Sequence, residues 1–391
     1  MLSATVRVTR DIDLAEECVQ DAYARALTAW RDKGIPDRPG AWLTTAARNR
    51  ALDLLRREAL FRRAAPELVV DEVEPERVDV SDIPDDRLRL ICTCCHPALG
   101  SEAQVALTLR LLCGLSTAEV AHAFLVSEPT MAARITRAKK KIATARIPYR
   151  VPSTADLPER VDAILAVVYL IFTTGHTAPT GDTLVRDELV ARASDLAGML
   201  HALLPDNGDV TGLLALIRLT DARRATRVGD DGELLRLEDQ DRTRWDRAVI
   251  ADGTALVREA LRARPPRKYA LQAAIAAVHA GAPSWDATDW PEIVGLYDLL
   301  LASWPSPVVA LNRAVAVGFA YGPEAGLAEV DALALDPQLS TYGYLPAARG
   351  DLLRQLGRDE QAHLAFSEAL LLTENEVERR FLARRLADLG G

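Results

Sequence analysis

Helical periodicity is the feature that most restricts how this 391-residue chain can fold. Apolar residues recur three and four positions apart through long stretches of Ala, Leu, Arg and Glu in which Gly and Pro are sparse. This spacing places apolar side chains on one face of an α-helix. The one weak strand-like alternation of apolar and polar residues is ELLRLED, which begins at Glu233. The sequence therefore predicts an all-α protein.

Composition favours a multi-domain protein that does not cross a membrane. With 49% apolar and 26% charged residues, the chain can build two or three substantial cores. The most apolar run, AILAVVYLIFTTG from Ala163, is too short for a membrane span and predicts a buried helix. The N-terminal residues lack the pattern of a signal peptide. We therefore expect a cytoplasmic protein whose five cysteines are reduced thiols.

Charge is distributed unevenly along the chain. Residues 1–65 carry twelve Lys/Arg against nine Asp/Glu, and residues 87–150 carry ten against three. Between these basic blocks, residues 66–86 carry one against nine and three prolines, which is typical of a linker. The residues after 150 are acidic, with twenty-four against thirty-five. The pattern predicts a polyanionic partner for the first 150 residues.

The second basic block contains the pattern of a helix-turn-helix, in GLSTAEVAHAFLVSEPTMAARITRAKKKI, residues 114–142. Ser116 and Glu119 form a capping box that starts one helix, and Ser127 caps a second helix after a turn at Leu125 and Val126. The second helix carries an apolar stripe at spacings of four, three and four: Met131, Ile135, Ala138 and Ile142. Its other face is polar and basic: Thr130, Arg134, Arg137 and Lys141, with Lys139 and Lys140 beside it. The alternative is an amphipathic hairpin whose charges only solvate it.

The first basic block has a helix with an acidic and polar face at Glu17, Gln20 and Asp21. A second helix follows in RPGAWLTTAARNRALDLLRRE, residues 38–58. It presents a basic, hydrogen-bonding surface: Arg48, Asn49, Arg56 and Arg57, near Trp42. One basic helix is weak evidence by itself. The order of an acidic-faced helix, G-A-W-L-x-x-x-A-R-N-x-A-x-D-x-x-R-R, an acidic linker and a helix-turn-helix is much more specific.

This order resembles the extracytoplasmic-function (ECF) sigma factors, the smallest bacterial RNA polymerase initiation factors, over residues 1 to about 150. The segments DRLRLICTCCHPALGSEAQVALTLRLLCGLSTAEVAHAFLV and YLIFTTGHTAPTG resemble a subgroup with a C-terminal TPR-containing helical extension. Members usually carry another helix before the D-x-D-L-A-E motif, and only about a dozen residues precede it here. We therefore expect an N-terminally short region-two domain.

The resemblance implies a role for each of these surfaces. Core RNA polymerase would be bound through the acidic face: Glu17, Gln20 and Asp21. The minus-ten promoter element would be melted and recognised by five residues: Trp42, Arg48, Asn49, Arg56 and Arg57. Arg and aromatic groups suit a separated strand, which offers phosphates and exposed base faces. In the minus-thirty-five element, Thr130 and Arg134 would face base edges, and Arg137, Lys139 and Lys140 would contact phosphates. The acidic linker would pass through the RNA exit path.

The C-terminal region contains an internal repeat. Ala325 and Ala362 each begin a copy of A-x-L-A-x-x-x-A-L-x-L, 37 residues apart, and each copy follows another small-residue helix. Stacked helix pairs bury faces that one pair cannot, which is typical of a solenoid. The last copy resembles the tetratricopeptide repeat at four positions: Gly350, Ala362, Phe366 and Ala369. The alternative is a generic Ala-rich helical bundle.

The stretch ICTCCHPALG, residues 91–100, raises the question of a cofactor. Cys92, Cys95 and His96 could share a helix face, and with Cys113 they could form a zinc site. The C-x-x-C-H pattern also fits covalent haem, and a reactive thiol is a third alternative. A continuous apolar stripe favours packing instead: Leu88, Ile91, Cys92, Cys95 and Leu99. We therefore expect a core helix and neither a metal nor another cofactor.

These observations together predict the domain order and the function. The expected domains are a region-two domain (1–65), an acidic linker (66–84), a region-four helix-turn-helix domain (85–150), a helical extension (156–265) and TPR-like repeats (266–391). We expect a sigma factor that is not an enzyme, with an extension that contacts the DNA-binding domains, polymerase or a partner protein. Two alternatives remain: a helix-turn-helix regulator with a TPR sensor, and a TPR scaffold. No nucleophile elbow, phosphate loop or catalytic carboxylate pair favours an enzyme.

Overall fold

The computed structural model describes residues 1–64, 86–124, 126–153, 156–229, 231–263 and 265–389. The predicted acidic linker, 66–84, lies outside these residues. The described chain is almost entirely helical, which confirms the all-α prediction at that level. It divides into two compact units, residues 1–167 and 168–391.

The first unit consists of seven helices and the beginning of an eighth within the residues described. They are α1 (Leu2–Thr9), α2 (Ile12–Lys33), α3 (Pro39–Ala64), α4 (Asp86–Cys94), α5 (Ser101–Leu111), α6 (Thr117–Ala123), α7 (Glu128–Thr144) and α8 (Leu157–His176). A short helix, α1, forms before the D-x-D-L-A-E motif. Helices α2 and α3 pack closely because small residues line the contact between them. The buried residues of this contact are Ala22, Ala26, Leu43 and Ala47.

The second unit continues with helices that pack mainly on their neighbours in sequence. They are α9 (Asp187–Leu203), α10 (Gly208–Asp221), α11 (Arg247–Ala260), α12 (Lys268–Gly281), α13 (Trp290–Ser303), α14 (Pro307–Tyr321), α15 (Pro323–Leu333), α16 (Tyr344–Gln355), α17 (Asp359–Leu372) and α18 (Glu376–Leu389). Two short 3-10 helices, Arg224–Thr226 and Arg242–Arg244, lie between α10 and α11. Neighbour-on-neighbour packing is the contact pattern that repeated helix pairs produce.

Glycine allows the closest helix contacts in this unit. A Cβ atom on Gly326 of α15 would lie 2.6 Å from the Gly318 Cα of α14, so the two backbones touch. A Cβ atom on Gly350 of α16 would lie 2.8 Å from the Phe366 ring of α17. Phe366 is fully buried in a cluster with Leu353 and other apolar residues of the last helices. The small residues of the repeat therefore lie where helices approach each other.

A two-stranded parallel sheet was not predicted from the sequence. Strand β1 (Thr180–Gly181) pairs with β2 (Glu374–Asn375), although almost two hundred residues separate them. The buried Asn375 side chain donates hydrogen bonds of 2.9 Å to the carbonyls of Ala178 and Thr183. Near Glu233, where the sequence shows a weak alternation, the structure has a single bridge between Val228 and Leu234. Two-residue strands leave too little alternation for a sequence pattern to detect.

None of the helices within the described ranges is both long and apolar enough to cross a membrane. Helix α8, which includes the apolar run from Ala163, instead buries Ile164, Leu165, Val168 and Ile171 in protein.

Candidate nucleic-acid and polymerase interfaces

The predicted polymerase-binding residues lie on α2. Glu17 and Gln20 are exposed, whereas Asp21 is half-buried. The Asp21 carboxylate accepts a 2.7 Å hydrogen bond from Arg50 Nε of α3. Asp21 therefore helps to hold α2 against α3, and Glu17 and Gln20 are the two residues of the predicted set that are fully open to a partner.

The predicted minus-ten residues on α3 divide into a packed aromatic group and an exposed polar group. The Trp42 ring is half-buried and meets the Trp30 ring edge to face, with centroids 5.6 Å apart. The polar side chains are all exposed: Arg48, Asn49, Arg56 and Arg57. They extend along the solvent face of α3, and Trp42 lies near the beginning of the same helix.

Local hydrogen bonds and burial on α6 and α7 agree with the helix-turn-helix prediction. The Ser116 amide donates to the Glu119 carboxylate and the Glu119 amide donates to the Ser116 hydroxyl, which completes the capping box before α6. The Ser127 hydroxyl accepts a hydrogen bond from the Thr130 amide at the start of α7. The predicted apolar stripe is buried: Met131, Ile135, Ala138 and Ile142. In the turn, Leu125 lies outside the described residues.

The outer face of α7 carries the predicted DNA-binding residues in three different environments. Thr130, Arg137 and Lys140 are exposed. Arg134 forms a 2.9 Å ion pair with Glu102 at the start of α5, which leaves its side chain only 21% exposed. Arg137 and Lys140 are therefore open to a polyanion. The Thr130 hydroxyl is exposed but lies 2.8 Å from the Ser127 hydroxyl, and Arg134 would have to leave the Glu102 carboxylate to bind one.

Lys139 is engaged with α2, where sequence reasoning expected a phosphate contact. Its ammonium donates to the carboxylate of Asp13 at 2.8 Å and to that of Glu16, and only 15% of its side chain is exposed. Arg110 of α5 approaches the same Glu16 carboxylate at 3.1 Å. Burial opposes the charge of Lys139, but the hydrogen bonds to Asp13 and Glu16 outweigh it, so its pKa is raised. Lys139 is thus held as a cation inside the protein.

A second group of contacts joins the same two parts of the first unit. The Tyr149 hydroxyl lies 2.7 Å from the Ser3 carbonyl and 3.0 Å from the Asp86 carbonyl, either of which can accept its proton. Arg7 of α1 lies 3.5 Å from the Asp86 carboxylate of α4. The helices of the predicted region-two domain therefore pack directly on those of the predicted region-four domain.

Sequence reasoning did not identify the residues that make this contact. Asp13 and Glu16 lie in the D-x-D-L-A-E motif, but no contact was predicted for them. Arg110 was not singled out, and neither was Arg50, the partner of Asp21. Asp13 and Glu16 are three positions apart and so share a face of α2, which is the only local signal. Their partner Lys139 lies 126 and 123 residues away, a separation that no local pattern spans.

The cysteine cluster is part of the core. Cys92 is 2% exposed and Cys95 is fully buried, together with the other residues of the predicted apolar stripe. Burial raises the pKa of the Cys92 thiol and of the Cys95 thiol to about 12, so both are protonated at neutral pH. In the part of the chain that the structure describes, no group of three or more His, Cys, Asp or Glu side chains could hold a metal ion.

Comparison with known proteins now identifies the parts of the chain. The model of sigma-70 region 2 matches residues 2–61, and that of sigma-70 region 4 matches residues 91–142. A family of unknown function, DUF6596, matches residues 160–261. The two sigma-70 matches assign the first part of the chain to the sigma-70 class of proteins. No solved structure matches the chain.

Two relatives extend the comparison. The ECF RNA polymerase sigma factor SigK of Mycobacterium sp. (strain KMS) is 30% identical over 33% of this chain and 68% of its own length. Uncharacterized protein R00370 of Rhizobium meliloti (strain 1021) is 41% identical over 99% of this chain and 93% of its own length. The chain belongs to the family of ECF RNA polymerase sigma factors. Its second half is shared with the rhizobial protein, whereas the match to SigK covers one third of this chain.

Proposed function

We propose that this protein binds core RNA polymerase and directs it to specific promoters, and that its C-terminal half regulates this activity. The observation that supports the proposal most directly is helix α7, which buries its apolar stripe and presents Thr130, Arg137 and Lys140 to solvent after a correctly capped turn. This is the geometry with which a recognition helix enters the major groove. The protein needs no chemistry of its own for this role, because it selects where polymerase starts.

Helix α7 would contact the minus-thirty-five element as duplex DNA. Thr130 lies in its first turn, where a short polar side chain can reach base edges, and Arg134 lies one turn further along. Arg137 and Lys140 follow on the solvent side and suit phosphates. On binding, Arg134 would separate from Glu102. Lys139 would likewise separate from Asp13 and Glu16. Each cation would therefore exchange a carboxylate of the same chain for DNA.

Helices α2 and α3 would supply the other contacts. On α2, Glu17 and Gln20 form an exposed face for polymerase, and Asp21 positions that face through its bond to Arg50. On α3, the exposed cationic and amide groups suit the phosphates and base edges of a melted minus-ten strand: Arg48, Asn49, Arg56 and Arg57. Trp42 would act at the start of this surface, supported by Trp30.

We infer that the contact between α2 and α7 breaks when both promoter elements are bound. The two elements are about 25 base pairs apart, or roughly 85 Å at 3.4 Å per base pair. Helices of 17 residues (α7) and 26 residues (α3) would cover only about 65 Å even if they were laid end to end. These two helices alone do not span the distance between the elements, which favours separation of α7 from α2 on the promoter. We regard the compact first unit as the closed form of the free protein.

The C-terminal half would act as the regulatory part, either by contacting the DNA-binding domains or polymerase or by binding a partner protein. Its TPR-like assignment is supported by the Gly350–Phe366 contact, since the repeat requires a small residue opposite an aromatic ring where its two helices meet. Neighbour-on-neighbour packing of α13 to α18 also suits a repeat array.

Two alternatives remain in view. A helix-turn-helix regulator with a TPR sensor would need an operator but no polymerase, and a TPR scaffold would need neither. A helix-turn-helix regulator would have no function for the exposed acidic face of α2. A TPR scaffold would have no function for the exposed cations of α7. Binding to core polymerase and to promoter DNA, measured separately, distinguishes all three.

The proposal predicts that the two activities can be separated by mutation. Glu17→Lys with Gln20→Lys should weaken binding to purified core polymerase at least tenfold, because it reverses the charge of the exposed α2 face. Arg137→Ala with Lys140→Ala should leave core binding within twofold of wild type. It should lower promoter affinity and reduce the slope of log affinity against log salt by about two, one for each lost phosphate contact. Core binding is measured by fluorescence anisotropy and promoter binding by the same method with holoenzyme.

Arg258→Ala is the control, because it removes an exposed cation from α11 in the second unit, outside both surfaces. We expect wild-type behaviour in both measurements. Loss of core binding in the Arg137/Lys140 variant, or unchanged promoter affinity and salt slope, would contradict the assignment of α7 to DNA.

A further inference from the structure

The second unit contains a group of buried and half-buried basic side chains near the Trp245 ring. The guanidinium carbon of Arg242 lies 4.7 Å from the centre of this ring, and that of Arg223 lies 5.8 Å from it. Arg242 is 7% exposed, and its Nη1 donates hydrogen bonds of 2.8 Å to the carbonyls of His279 and Ala282. Two guanidinium groups therefore share one aromatic ring inside the protein.

Two histidines complete this basic cluster, which consists of Arg223, Arg242, His176 and His279. Burial above all, together with the charges of Arg227, Arg223 and Arg224, lowers the pKa of His176 to about 2. Burial above all, together with the charges of Arg223 and Arg242, lowers the pKa of His279 to about 3. Arg223 thus lies within electrostatic reach of both rings. Both rings are neutral at physiological pH, and each carries one N–H that can donate to an acceptor.

One nitrogen of each member of the cluster is buried without a hydrogen-bond partner among the described residues. These atoms are Arg223 Nε, Arg242 Nη2, His176 Nδ1 and His279 Nδ1. An unpaired buried donor costs free energy, and the cost is larger when the group is charged. The two guanidinium nitrogens are donors, and each neutral ring becomes a donor at this atom in the tautomer that carries its proton on Nδ1. An acceptor placed among these nitrogens would satisfy them.

Two carboxylates of the second unit form ion pairs with Arg224, the neighbour of Arg223 in sequence. Arg224 pairs with Asp187 at 2.9 Å and with Asp221 at 3.2 Å. The strongest charged neighbours of Arg223 are two guanidiniums, Arg227 and Arg242, and burial together with their repulsion lowers the pKa of Arg223 to about 10. Arg223 therefore stays a cation at neutral pH, in surroundings that are themselves positive.

We propose that this cluster binds a small anion bearing a phosphate or carboxylate group. Arg223 Nε and Arg242 Nη2 would donate charge-assisted hydrogen bonds to its oxygens, which is the geometry that guanidinium groups favour. The histidine rings would donate from either side without adding charge. The ligand would neutralise the two arginines and join the segment after α10 to α12 and to the end of α8, so the C-terminal half becomes a receptor for an anionic small molecule. This goes beyond the proposed promoter function, which does not require a ligand.

The test uses the full-length protein with three oxyanions: inorganic phosphate, sulfate and acetate. Each anion is titrated to about 10 mM, which exceeds a dissociation constant in the millimolar range. Sodium chloride keeps the ionic strength constant. Thermal unfolding and isothermal calorimetry are measured. We expect saturable heat and a saturable rise in Tm, because a ligand that binds only the folded state stabilises it. A response to phosphate and sulfate indicates a phosphate group, and a response to acetate alone indicates a carboxylate.

Arg223→Gln should weaken this binding at least tenfold, and Arg244→Gln should leave it within twofold. Arg244 is the matched control, since it carries the same charge at an exposed position two residues from Arg242. Arg223→Gln also removes a buried unpaired charge, so without ligand it should unfold at or above the wild-type Tm. Two results would overturn the proposal: no saturable response to any of the three anions, or equal affinity in Arg223→Gln and wild type.

Discussion

Glu16→Lys is expected to open the first unit. In the closed form the Glu16 carboxylate accepts from Lys139 and lies 3.1 Å from Arg110, and its own side chain is only 17% exposed. A lysine there would place a third cation between two others. Breaking a buried pair by removing one partner costs about 3 kcal/mol or more, so the ratio of open to closed molecules should rise about 100-fold. Small-angle X-ray scattering on the full-length protein should give a larger radius of gyration.

Glu17→Lys is the matched control for this experiment. It makes the same charge change one position along the same helix, but Glu17 is exposed and is not part of the Lys139 contact. Its radius of gyration should equal that of wild type, although core binding should fall. Equal scattering from Glu16→Lys and wild type would show that the α2–α7 contact does not hold the unit closed.

Phe366→Ala is expected to have the largest effect on stability. The ring is fully buried between α16 and α17, and Gly350 leaves room for it because a Cβ atom there would lie 2.8 Å from the ring. Removing a buried phenylalanine costs about 3–5 kcal/mol, which combines lost burial with the cavity that remains. Urea unfolding followed by circular dichroism should show the transition of the second unit at a lower urea concentration. The transition of the first unit should stay where it is, since the ring lies outside it.

Leu364→Ala is the control on the same helix. Leu364 is 70% exposed, so its truncation should change the free energy of unfolding by about 0.5 kcal/mol or less. A similar small change in Phe366→Ala would contradict the packing of α16 on α17 and with it the TPR-like interpretation of the last repeat.

Local patterns predicted a large part of this structure, because they depend on residues a few positions apart. The capping box at Ser116 and Glu119, the stripe from Met131 to Ile142 and the burial of Cys92 all follow from helical spacing, and each agrees with the structure. The identification of the sigma-70 regions depended on the order of such patterns along the chain, and the comparisons confirm it at that level.

Contacts between distant segments could not be predicted in this way. The Lys139 pair with α2, the Asp21–Arg50 bond and the strand pairing through Asn375 each join residues that are far apart in sequence. The basic cluster likewise draws its four members from α8, α12 and the segment between α10 and α11. Its members are ordinary Arg and His residues in sequence, and only their shared burial makes them a candidate site. The domain boundaries and the role of each surface residue remain predictions.

Run-off transcription with purified core RNA polymerase tests the central claim most directly. The full-length protein, mixed with core polymerase and fragments of its own genome, should produce transcripts with defined starts, each dependent on Arg137 and Lys140. Core polymerase alone should produce none of these starts. If the protein neither binds core polymerase nor directs initiation at any promoter, its proposed function as an initiation factor is wrong.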